Sequence, residues 1–157
     1  TKLALNPGSY QIKNGLVEIR KLFPRTEILF VNKEEAQKIT QTKKSIPELF
    51  KILFKTGIKK IVITDGRNGS YASDGNKIYF MKPYPIQPIA RTGAGDAYAS
   101  GFLSALFLGH DLLTALKWGS ANGAAVTQKV GAEKGLLNQT GIKKIISQYP
   151  HIKSQVL

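Results

Sequence analysis

Cysteine is absent from the 157 residues, and with it go disulfides, thiolate metal sites and a cysteine nucleophile. A reducing, cytoplasmic setting is the simplest expectation. Acidic residues are few, with 10 Asp and Glu against 23 Lys and Arg, a formal charge of +13. Such a surplus favours anionic partners, nucleotides or nucleic acid among them. The lysines are nonetheless scattered (Lys33, Lys43, Lys44, Lys55, Lys59, Lys60, Lys143, Lys144), which fits a solvated basic surface better than a nucleic-acid track. No apolar run reaches the roughly 18 to 20 residues of a membrane span, and no basic, then apolar leader is visible. A soluble segment with no membrane partner is therefore expected. There is no repeat, no low-complexity tract and no initiator Met: the chain opens at Thr1 in a strand-like run and reads as if begun in the middle.

Two phosphate-binding motifs are also missing. A dinucleotide fingerprint needs a third glycine where Tyr98 stands, so no hydride-transfer site is implied. A P-loop needs Gly-Lys-Ser/Thr, and no glycine pair leads into one. His110 and His151 have no second ligand at metal spacing and are assigned to the surface.

What is present is a chain 42% hydrophobic, enough for one globular domain over residues 1–157. Lys2 to Asn6 reads as a short strand stopped by Asn6-Pro7-Gly8-Ser9. Ile12, Leu16, Ile19 and Phe23 fall at helical spacing from Gln11 to Phe23, and Ile28-Leu29-Phe30-Val31 returns to strand. Asn32 then caps a helix with Glu34 and Glu35 in its first turn, and a second helix follows from Ser45 to Gly57. Lys60 to Thr64 is a strand, Ser70 to Ala72 and Lys77 to Met81 a hairpin around Asp74-Gly75, and Pro83 to Pro88 an extended connector. Helices are expected to Gly109, from Asp111 to Thr127, and from Thr140 to Gln148. Strands alternating with helices of this length predict an α/β fold, a mostly parallel sheet flanked by helices, with ligands at the strands' C-terminal ends.

The chemistry concentrates at Thr92-Gly93-Ala94-Gly95-Asp96, where small residues open a helix. Backbone N–H groups there can approach an anion while the helix dipole adds positive potential. Asp96 on the first turn would be within reach of a hydroxyl attacking a bound phosphorus. The plainer reading is that Asp96 caps the helix and the glycines permit tight packing. Asn32 and Glu35, one turn apart, similarly read as an N-cap with a carboxylate that suits the dipole. Asn122 lies among alanines on an apolar helix; an unpaired amide would cost about 1–3 kcal/mol there, so it needs a partner, either adenine or a backbone carbonyl.

The stretch Thr92 to Leu103, Thr-Gly-Ala-Gly-Asp-Ala-Tyr-Ala-Ser-Gly-Phe-Leu, resembles the signature of the ribokinase, or PfkB, family of carbohydrate kinases. Leu5-Asn6-Pro7 is similar to the family's strand-end Asn-Pro turn, Asn32-Lys33-Glu34-Glu35 to its N-x-x-E motif, and Thr64-Asp65-Gly66-Arg67-Asn68-Gly69 to its T-x-G-x-x-G nucleotide stretch. Ala121-Asn122 and Gly131-Ala132 fit its C-terminal nucleotide and cation segment. These motifs stand in the family's order across nearly the whole chain.

The resemblance implies a ribokinase-like fold, of which this chain is the C-terminal part, and ATP-dependent phosphorylation of a hydroxyl on a sugar or sugar-like molecule. Asp96 would be the catalytic base, and Gly93, Ala94 and Gly95 the anion hole. Asn32 and Glu35 would organise the waters of Mg²⁺, while Thr64, Gly66, Gly69, Asn122 and Asn6 would line the nucleotide. Where most of the family carries an Asp that helps hold a monovalent cation, this chain has Ala90, followed by Arg91; weak or absent K⁺ activation is expected. Family members run to about twice this length, and their N-terminal half carries the lid and sugar-binding residues. The alternatives are a nucleoside kinase, a catalytically incomplete nucleotide-binding fragment, a degenerate half kept as a scaffold, or a basic nucleic-acid-binding domain. A half sheet would also expose an edge strand and an apolar face, inviting a homodimer.

Overall fold

The computed structural model describes residues 2–157. Their contacts fall into two compact units: the chain up to Gly66 with Tyr71–Ile78 and Leu157, and Arg67–Ser70 with Tyr79–Val156.

In the first unit three parallel strands, β1 (Leu3–Leu5), β2 (Thr26–Asn32) and β3 (Lys60–Thr64), pair in that order. Consecutive residues Ile28 to Val31 and Ile61 to Ile63 are all buried, the continuous apolar run of strands covered on both faces rather than the alternation of a half-wet sheet. Leu29, Val31, Ile61 and Ile63 form one core with residues of α1 (Gly8–Leu22), α2 (Lys33–Thr40) and α3 (Ile46–Phe54), among them Ile12, Ile19, Ile39, Leu49 and Leu53. The helix starts follow from local chemistry. Asn32 opens α2 with a capping box, its side chain accepting from the Glu35 N–H at 2.8 Å while Glu35 Oε2 accepts from the Asn32 N–H at 2.9 Å. Ser45 and Glu48 form the same box on α3.

After β4 (Ser70–Ser73) the expected turn forms: Asp74 Oδ1 accepts from the N–H groups of Asn76 and Lys77 at 3.0 and 3.3 Å, and Gly75 takes a positive φ of 94°. The chain then enters β5 (Ile78–Met81).

The second unit is built on α4 (Ala94–Phe107) and α5 (Leu112–Thr127), followed by α6 (Gln139–Gln148). Small residues at the α4–α5 crossing let the backbones approach: a Cβ on Gly101 would meet the Trp118 carbonyl oxygen at 2.8 Å, and one on Gly119 the Tyr98 ring at 3.0 Å. Phe102, Ala105, Leu116 and Val126 complete the core there.

The structure differs from expectation at two ends. Helix α1 begins at Gly8 rather than Gln11, with Pro7 at its N-cap, where a missing N–H is no loss, and Gly8 taking a positive φ of 67°. A sixth strand, β6 (Ser154–Val156), follows α6 and pairs antiparallel with β5, Phe80 opposite Gln155. Three residues after a Pro-His turn carry no periodicity to announce it.

Candidate active site

The first unit brings four of the expected residues to the carboxyl edge of its strands. Asn32 and Thr64 are register partners, so β2 and β3 end side by side. Asn6 follows β1, and Gly66 opens a short helical turn after β3 with φ 51°. A Cβ on Gly66 would meet nothing within 4 Å, so this glycine faces open space.

Glu35 is buried, 6% exposed, and both carboxylate oxygens are engaged. Besides the capping bond to Asn32, Oε1 accepts from the Ser9 hydroxyl at 2.8 Å, linking the first turn of α1 to α2. The sequence reading missed Ser9, whose only signal is a hydroxyl in the Asn-Pro-Gly-Ser turn. Among the described residues no cluster of three or more His, Asp or Glu could form a metal cage. A single acid suits Mg²⁺, which keeps several waters and takes one or two carboxylates together with phosphate oxygens.

Beside this edge Lys33 Nζ contacts Asp65 Oδ2 at 2.9 Å. The hydrogen bond to Asp65 holds the lysine's pKa above its ordinary value against a desolvation that lowers it.

In the second unit the small-residue segment forms the start of α4 as expected. Gly93 is the N-cap with φ 80°, the left-handed region that favours glycine, and Asp96 lies exposed on the first turn. The Ala94 N–H makes a long bond of 3.3 Å to the Arg91 carbonyl, so of the expected anion-hole donors it is already engaged. A Cβ on Gly95 would meet nothing within 4 Å, whereas one on Gly93 would meet the Ala132 carbonyl oxygen at 2.6 Å. The fold thus demands glycine at 93, while Gly95 leaves room above the helix N-terminus. Ala132, in the Gly131-Ala132 segment read from sequence as part of the site, lies against Gly93.

Two expected nucleotide residues have structural duties. A Cβ on Gly69 would run into the Met81 carbonyl oxygen and the Phe80 ring, so packing against β5 explains this glycine without a ligand. Asn122, 3% exposed, donates to the Ala97 carbonyl at 2.7 Å and accepts from the Leu137 N–H at 2.9 Å. Of the two partners considered for its amide, the backbone is the one found; it ties α4, α5 and the loop before α6 together. His110 and His151 are exposed as expected, His110 against Trp118 with ring centres 5.5 Å apart.

Parallel strands ending together at an edge of polar and glycine residues, with a glycine-capped helix carrying an acid on its first turn, define an α/β fold of the ribokinase kind. That architecture recurs in solved structures. A protein assigned as a ribokinase II from E. coli, in complex with ATP and Mg²⁺, superimposes over 94% of this chain and 49% of its own with a TM-score of 0.84 at 19% identity. Fructokinase from Vibrio cholerae, bound to fructose, ADP and calcium ion, matches over 92% of this chain and 50% of its own, TM-score 0.81, at 26% identity. Residues 8–139 match the model of the pfkB family carbohydrate kinase, and the chain belongs to that family. It is also similar to the 5-dehydro-2-deoxygluconokinase of Clostridium beijerinckii, 33% identical over 130 residues that make up 79% of this chain and 38% of that protein. The chain therefore spans well under half the length of this curated relative and about half that of the two solved structures.

Proposed function

We propose that this chain is the phosphoryl-transfer portion of an ATP-dependent kinase whose acceptor is a hydroxyl of a sugar or sugar-derived acid. The observation that carries the reading is the start of α4, where a left-handed glycine cap, an open position at Gly95 and the exposed Asp96 come together in a family member.

In this reading the acceptor hydroxyl gives its proton to the Asp96 carboxylate as its oxygen attacks the γ-phosphorus, and ADP leaves. N–H groups at the start of α4, with Gly93 shaping the turn, stabilise charge on the transferred phosphoryl group. Asn6, Thr64 and Gly66 offer a strand edge to the nucleotide. Glu35 would hold a water of a bound Mg²⁺, whose positive charge would offset that of the phosphates. The ADP and calcium bound to the fructokinase support a nucleotide with a divalent cation. Among acceptors, the sugar acid named for the Clostridium relative is the first to test, ahead of a nucleoside.

The test uses the full-length protein with Asp96→Asn and Gly95→Val. The Asn variant is expected to bind MgATP in calorimetry like the parent but to lose about 10²–10⁴-fold in turnover. The Val side chain, placed where a Cβ has free space, should remove MgATP binding without unfolding the chain. Unchanged turnover in Asp96→Asn would overturn the assignment of the base.

A further inference from the structure

Lys33 stands where its own helix disfavours it. It is the first residue of α2, and the rest of that first turn is acidic, with Glu34 and Glu35, as the positive end of a helix dipole prefers. A cation there is opposed by the dipole, so something outside the helix must account for it. Asp65 answers across the strand edge, 32 residues on, with Nζ to Oδ2 at 2.9 Å.

Asp65 is oddly placed as well. It follows Thr64, the register partner of Asn32, and precedes Gly66, in the turn proposed to line the nucleotide. An acid beside incoming phosphates is repulsive unless its charge is balanced. The pair is partly buried, with the Lys33 and Asp65 side chains 36% and 17% exposed. Water still reaches the lysine end and screens the attraction, so the pair gains less than a fully buried one would.

We infer that Lys33 is a phosphate-binding residue that Asp65 holds in reserve: without nucleotide the ammonium rests on the Asp65 carboxylate, and with nucleotide it transfers to a phosphate oxygen. The inference rests on the nucleotide reading of this strand edge. A phosphate group of a bound nucleotide carries at least the charge of a carboxylate and presents more acceptor oxygens, so it competes successfully for a flexible lysine. Asp65 holds the lysine at the edge, and its own charge sets a threshold that a weakly charged ligand does not cross.

The two partners should consequently act in opposite directions. In the full-length protein, Lys33→Met is expected to raise the Kd for MgADP about ten-fold, the scale of one charge-assisted hydrogen bond, and Lys33→Arg to recover most of that loss. Asp65→Asn, which frees the lysine, should leave the Kd unchanged or lower it several-fold. Thermal melts of each variant establish that the protein remains folded. A purely structural ion pair predicts instead equal drops in melting temperature and an unchanged Kd. Lys33→Met within two-fold of the parent, or Asp65→Asn weakening binding as much as Lys33→Met, overturns the inference while parental MgADP binding leaves the nucleotide reading intact. Absence of MgADP binding by the parent removes both.

Discussion

Ala90 stands where the resemblance led us to expect an acid, and the backbone around it has its own arrangement. The N–H groups of Ile89 and Ala90 both donate to the Thr127 carbonyl, at 2.7 and 3.0 Å. A methyl group supplies no charge to hold a monovalent cation, and that carbonyl already serves two donors. Any turnover by the full-length protein is expected to change less than two-fold when K⁺ is added to a Na⁺-free, Tris-buffered assay; a several-fold rise would refute it. At this scale the structure separates glycines that spacing alone treats alike. Gly66 and Gly95 face open space, as a ligand-lining glycine should, but Gly69 is required by the Met81 carbonyl and Gly93 by Ala132. Nothing in the spacing separates these cases, because each depends on which backbone passes overhead.

The elements were the most legible level. Helices α2 to α6 lie close to where the sequence put them, and at all but the glycine-capped α4 an Asn, Ser or Asp stands where it can satisfy N–H groups that the helix itself cannot. Asp111 is the clearest example: its Oδ1 accepts from the Thr114 N–H at 2.8 Å at the start of α5. That backbone bond holds the Asp111 carboxyl below the usual carboxylate range. A depressed folded pKa means the stabilisation is present above the unfolded value, near 4, and lost as pH falls through the folded one. Asp111→Ala should therefore cost about 1 kcal/mol at neutral pH, and the gap should narrow below about pH 4. Asp111→Asn, which keeps the cap without the charge, should melt close to the parent at neutral pH. Thermal midpoints at pH 7 and pH 3 check the sign; a gap that widens in acid would contradict it. The missed strand β6 belongs to this level too. Its pairing with β5 is what makes it a strand, and three residues cannot state that locally.

For the molecule as a whole, charge is the dominant bulk property. With a net charge of +13 and lysines spread along the chain, the surface attracts anions without specifying one. Retardation of a labelled oligonucleotide is accordingly expected to disappear by about 0.15 M salt. Retention at that salt by a low micromolar concentration of protein would return nucleic-acid binding to consideration. No helix among the described residues is long and apolar enough to cross a membrane. Large apolar side chains do stand in water, Phe107 at 93% and Tyr10 at 75% exposed.

The sequence by itself determined the class of fold, the order of the motifs and most helix starts, because these rest on interactions within a few residues. Apolar periodicity, a cap and its carboxylate, or a glycine before an acid are all local facts. Tertiary structure alone decided that Asn122 holds two backbone segments, that Ser9 reaches Glu35, that Ala132 closes on Gly93 and that Lys33 meets Asp65. Each of these joins groups far apart in the chain, and a side chain's partner is set by the distance the fold imposes, not by its neighbours in sequence.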